Sequence, residues 1–146
     1  MGCQNQFLVS LTLEASMVAS GASEIEVTAD GAAASCTFTI ALGDGGLTVP
    51  PPEQCSSSVS VTLSNATTCT VAPISAGSSD QCQPIDGKIT EEIVIVGTPA
   101  AVRVQQTVGG TVVADQSFAP TYQTVAPNGV ECGPICHVAN SYTTLP

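Results

Sequence analysis

Apolar residues fall at every second position in QFLVSLTL (residues 6–13), which puts Phe7, Val9, Leu11 and Leu13 on one face. Side chains alternate across a strand with period two, so this pattern predicts a β-strand with one buried face. The alternation recurs along the chain. EIEVTAD carries Ile25 and Val27 on one side and Glu24 and Glu26 on the other, ahead of an Asp30-Gly31 turn. CTFTIAL aligns Cys36, Phe38, Ile40 and Leu42, and VSVTL aligns Val59, Val61 and Leu63. KITEEIVIVG ends apolar on both faces, which suits a central strand. AAVRVQQTV and TVVADQSF flank Gly109-Gly110, a two-residue hairpin signal, and HVANSYTTL reads as the last strand.

Between these runs lies turn chemistry. Three consecutive prolines at 50–52 forbid regular pairing. SNATT (64–68) reads as a turn that sends CTVAPI back against VSVTL, and SAGSSDQCQPIDG reads as loop. Only LEASMVASGAS could hold a turn of helix. The expected fold is therefore all-β: an antiparallel immunoglobulin-like sandwich of about eight or nine short strands, stapled by disulfides. Residues 1–5 are expected to form an N-terminal tether and residues 6–146 a single sandwich domain. The expected core is Phe7, Val9, Leu11, Ile25, Val27, Phe38, Ile40, Val61, Val71, Ile93, Ile95, Val102 and Val104.

Composition narrows the function. The 146 residues are 43% hydrophobic, enough for a real core, and carry a net charge of −10 with Lys88 and Arg103 as the only basic residues. Binding a phosphate backbone requires several cations to displace counterions, so nucleic acid and anionic membrane surfaces are poor partners. No apolar run is long enough for a transmembrane helix. ALGDGGLT, with Asp44, lacks the regular acidic spacing of a calcium loop and reads as a tight turn.

Seven cysteines, at 3, 36, 55, 69, 82, 132 and 136, point to an oxidising compartment. The sharpest local feature is ECGPICHVANSY, where Cys132, Cys136 and His137 form a C-x3-C-H cluster. Haem attachment uses a C-x-x-C-H spacing and a large aromatic pocket, whereas this chain has 3 Phe, 2 Tyr and no Trp. Zinc would need a fourth ligand beside these three. A Cys132–Cys136 disulfide folded by Gly133-Pro134 is the simpler expectation, with no cofactor and no metal. Cys55 is paired with Cys82 at the open end of the expected 59–63/69–74 hairpin, and Cys36 with Cys69 across the core. Sequential pairing, 36–55 and 69–82, is the rival. Cys3 remains over. It follows Gly2, as in the last two positions of a lipobox, and is expected to be unpaired and a lipid attachment point in the precursor.

The block FAPTYQTVAPNGVECGPICHVA, with its P-N-G and C-x-P-x-C elements, resembles the C-terminal part of a group of small secreted proteins and lipoproteins of Gram-negative soil bacteria. EIEVTADGAAASCTFTIAL and GTPAAVRVQQTVGGTVVADQ are similar to them as well. The resemblance implies an immunoglobulin-like secreted domain and carries no catalytic residues over.

Nor do the residues argue for an enzyme. Any Ser-His-Asp triad would have to use His137, the one histidine, and there is no G-x-S-x-G, P-loop or H-E-x-x-H. Glu91 and Glu92 are neighbours in a strand, so they point to opposite faces and cannot act as one carboxylate pair. The expected function is a non-catalytic binding or structural module, secreted or anchored at the outer membrane, with the periplasm as a further possibility. Its partner would be a protein or a glycan. The alternatives are a c-type haem electron carrier using C-x3-C-H, and a surface subunit that self-assembles by adding QFLVSLTL to a neighbour's sheet.

Overall fold

A computed structural model describes residues 3–18, 21–43, 46–48, 53–70, 81–129, 131 and 133–144, without the side chains of 41–43, 46–48, 70 and 144. In chain order the elements are β1 (Gln6–Glu14), α1 (Ala15–Val18), β2 (Ala22–Ala29), β3 (Ala32–Thr39), β4 (Ala41–Gly43), β5 (Gly46–Thr48) and β6 (Glu53–Gln54), then β7 (Val59–Thr70), β8 (Gln81–Val96), β9 (Val102–Val108), β10 (Thr111–Phe118), β11 (Gln123–Val125) and β12 (Cys136–Thr144). A six-stranded sheet, β11-β12-β1-β8-β7-β6, packs on a four-stranded sheet, β10-β9-β2-β3, and β4 pairs with β5 alone. The fold is all-β, as the alternation predicts. One pairing departs from an antiparallel sandwich: β1 runs parallel to β12, with Phe7 opposite Ala139. On its other side β1 pairs antiparallel with β8, so QFLVSLTL is an inner strand of its own sheet. Strands are also more numerous than eight or nine and not uniformly short, since β8 has 16 residues.

Burial follows the period-two reading. Every expected core residue from Phe7 to Val104 is buried, apart from Val71, which lies outside the described residues. Residues of both sheets join in one core, with Val9, Leu11, Ile93 and Val61 on one side and Ile25, Val27, Phe38 and Val104 on the other. The two tight hairpins form where Gly-rich turns were expected. Gly109 and Gly110 take φ of 57° and 87°, a backbone conformation that suits the twist between β9 and β10. Both basic residues are engaged locally: Lys88 with Glu14 at 3.7 Å, and Arg103 with Asp115 at 2.7 Å.

Two segments depart from expectation. SNATT does not turn the chain; β7 runs through it, with a register shift between Asn65 and Thr67 and Ala66 buried at the irregularity. QCQPIDG is not loop, because β8 starts at Gln81 and pairs with the far end of β7. Thr67, Thr68 and Cys69 are β-compatible, and tertiary pairing overrides the weak turn preference of Ser and Asn. The result is a ribbon, 67–70 against 81–84, that continues β7 and β8 beyond the last β1 pairing at Glu14–Lys88.

The disulfides follow from this register and correct the expected pairings. Cys69 lies directly opposite Cys82 and bonds to it, with Cα atoms 4.0 Å apart, so it is not available to Cys36. Cys36 bonds instead to Cys55, Cα to Cα 4.8 Å, tying β3 to the segment after β6 and thereby one sheet edge to the other. The sequential rival is the connectivity present. Cys136 bonds to Cys3, Cα to Cα 6.0 Å, not to Cys132, which lies outside the described residues. With its sulfur bonded to Cys136, Cys3 gives no support to lipid attachment. Within the segment expected as a tether, Asn5 is hydrogen-bonded to the domain: its side chain accepts from the His137 amide at 2.7 Å, and its carbonyl accepts from the Gly97 amide at 2.8 Å.

The Cys69–Cys82 bond joins two exposed residues on a ribbon with no core of its own. A hairpin without a packed face is marginal in water. Replacing both cysteines with alanine should therefore accelerate amide exchange at 67–70 and 81–84 and leave β1 and β9 protected. Uniform loss of protection across the sandwich would show that the ribbon is part of the cooperative core.

Candidate functional site

At one end of the sandwich three turns enclose a cleft of about 460 Å³. Its walls come from the β2–β3 turn (Ala29, Asp30 and the alanines that open β3), from Ser56 to Val59 at the start of β7, and from the end of β8 with Thr98 and Pro99 beyond it. Small side chains and hydroxyls dominate, and among the described residues Asp30 is the only ionisable group lining it.

Each wall is fixed separately. Asp30 sits at φ 48°, where asparagine and aspartate are tolerated best. Its carboxylate accepts from the amides of Ala100 (2.9 and 3.1 Å) and Ala101 (2.9 Å), and its own amide donates to the Ala101 carbonyl. Tyr122 closes the same loop by donating its hydroxyl to the Pro99 carbonyl at 2.8 Å. The serine wall is a self-bonded turn in which Ser56 Oγ accepts from the amides of Ser58 (3.2 Å) and Val59 (3.1 Å). Gln54 Nε2 braces it on the Ser56 and Val59 carbonyls, and the Cys36–Cys55 bond anchors it to β3. Such a concave surface is set before any ligand arrives, which lowers the ordering cost of binding.

The cleft opens beside the outer edge of β3, which the Cys36–Cys55 bond ties at one point to the segment after β6. Among the described residues β3 pairs only with β2, and its eight residues, AAASCTFT, carry no charge and no proline. Natural edge strands usually carry charges, prolines or bulges that prevent further pairing. The edge strand at the opposite side of this sheet, β10, has such a bulge between Val112 and Ala114.

A second feature lies inside the core. Glu91 of β8 and Gln106 of β9 face each other between the sheets, both with no exposed surface, and Gln106 Nε2 donates to Glu91 Oε1 at 2.8 Å. Among the described residues Glu91 Oε2 and Gln106 Oε1 have no partner, nor does the hydroxyl of buried Ser23. Burial pushes the Glu91 carboxyl up to about 7, against the smaller opposing effect of the Gln106 hydrogen bond. Glu92, its neighbour, is exposed on the other face.

Among the described residues, the structure brings none of the sequence-expected site residues into a reactive group. Cys136 is bonded to Cys3 and has no thiol to offer a haem vinyl group, and the exposed His137 uses its backbone on Asn5. No cluster of three metal-ligating side chains occurs among the described residues. Asp44 lies outside them. Among the described residues no helix is long and apolar enough to cross a membrane. The three disulfides fit an oxidising environment, extracellular or periplasmic. Protein-family models, curated proteins and solved structures give no match to the chain.

Proposed function

We propose that the protein is an extracytoplasmic, non-catalytic binding module that takes an extended segment of a protein partner onto the β3 edge and into the adjoining cleft. The observation that carries this reading is the outer edge of β3, which among the described residues pairs with no strand but β2, beside a cleft whose walls are immobilised one by one. An added strand takes its affinity from main-chain hydrogen bonds to the free edge, and the alanines of β3 let a second backbone approach closely. Among the described residues no aromatic side chain lines the cleft to stack on a sugar ring, which favours a peptide segment over a glycan. With net charge −10, the partner segment is expected to be flanked by basic residues, and a second copy of this chain is opposed by repulsion.

The test is selection from a random peptide library displayed on phage, with the wild-type protein and an Ala33→Arg variant as baits. Ala33 is exposed on β3, so the substitution should change stability by no more than about 0.5 kcal/mol while placing a charge on the edge. Peptides enriched on wild type that lose binding to A33R, with amide shifts confined to β3 and the cleft, support the reading. Failure to enrich any peptide, or enrichment indifferent to A33R, would contradict it.

A further inference from the structure

Glu91 lies at an inward position of β8, between Ile89 and Ile93, with Leu11 of β1 and Leu63 of β7 as its register partners. Gln106 lies at an inward position of β9, between Val104 and Val108, and opposite Ile25 of β2. Ser23, one step along β2 from Ile25, sits opposite Val108. The inward residues beside and opposite the pair on these strands are apolar apart from Ser23, and among the described residues burial rather than a neighbouring charge sets the environment of the carboxyl. An ionised carboxylate here would have a single hydrogen bond, from Gln106, and would leave both Glu91 Oε2 and Gln106 Oε1 without a partner among the described residues. Buried polar groups left without partners are costly, and a buried charge without a counterion more so.

We infer that Glu91 is held as the neutral acid in the folded protein, its Oε2 proton donated to Gln106 Oε1, so that acid and amide exchange two hydrogen bonds across the sandwich and folding takes up a proton. One proton satisfies both orphan oxygens at once. The pair then links the stability of the two-sheet packing to pH, because β8 and β9 belong to different sheets.

The direction follows from linkage. The folded state holds the proton up to about pH 7, whereas the unfolded chain releases it near 4.5. Between those values the folded state binds more protons, so stability is fully present below about pH 4.5 and falls as pH rises through about 7. The folding equilibrium constant should drop about 300-fold across that window from this group alone.

Glu91→Gln isolates the effect, since glutamine has the shape of the neutral acid and an amide donor where the proton sits. Urea unfolding of both proteins from pH 4 to 8.5 is expected to give matching stabilities at the acid end. At pH 8 the variant should exceed wild type by about 300-fold in folding constant. Parallel curves over the whole range would overturn the proposal. Carboxyl carbon NMR of the wild-type protein provides a second readout that needs no variant. A Glu91 resonance titrating near pH 7 supports the neutral acid, and one titrating below pH 5 refutes it.

Discussion

Replacing Cys3 and Cys136 together by alanine is expected to lower the stability of the fold by about 4–5 kcal/mol. The bond joins residues 133 apart, and in the chain-entropy model a loop of that length restricts the unfolded ensemble by about that amount. Local structure gives the same direction. The bond sits where β1 and β12 begin their parallel pairing, one strand near the start of the described chain and the other near its end. Parallel pairing of two such distant strands carries a large loop-closure cost, and the cross-link removes it in advance. Equilibrium urea unfolding checks the effect. The midpoint should fall and the denaturant dependence should steepen, because the released unfolded chain exposes more surface. A change below about 1 kcal/mol would mean that β12 docks without help from its staple.

Phe7→Ala is expected to cost about 3–5 kcal/mol, the range for truncating a fully buried phenylalanine. The ring is 1% exposed on β1 and meets Phe118 of β10 edge to face, 5.6 Å between centroids and 68° between planes. It thus bridges the two sheets where β10 lies over β1. Phe118 is only partly buried, so Phe118→Ala should cost less, and the double variant should lose less than the sum. Thermal or urea unfolding of the three variants measures it. Additive losses would show that the rings do not interact.

Much of the architecture can be read in the alternation. Phe7, Val9, Leu11, Leu13, Ile25, Val27, Phe38, Val59, Val61 and Leu63 sit inward because period two leaves an amphipathic strand no other way to bury its apolar face. Gly109-Gly110 and Asp30-Gly31 turn where left-handed backbone is needed. SNATT misleads because Ser, Asn and Thr satisfy both a turn and an exposed ribbon, and only the partner strand decides between them. That single ambiguity shifts Cys69 away from its true neighbour, and the expected bonds of Cys36, Cys55 and Cys82 follow it. The parallel β1–β12 pairing has no local signature, so the Cys3–Cys136 bond was not legible.

The polar pair in the core did leave a signal. Ile89, Glu91, Ile93 and Ile95 form one inward series, and Val102, Val104, Gln106 and Val108 another, each interrupted once by a polar residue. Two such interruptions in facing strands are what a buried acid–amide pair requires. The cleft is less legible, because its walls come from turns far apart in sequence. Only Asp30, in a turn position that most residues avoid, hints at its clamp on Ala100 and Ala101.

Peptide mapping without reduction tests the account most directly, since the three bonds report the register of β7 on β8, the closure of the sheet edges and the parallel terminal pair. The account predicts linked peptides for Cys3 with Cys136, Cys36 with Cys55 and Cys69 with Cys82. Recovery of Cys132 linked to Cys136, or of Cys36 linked to Cys69, would contradict it.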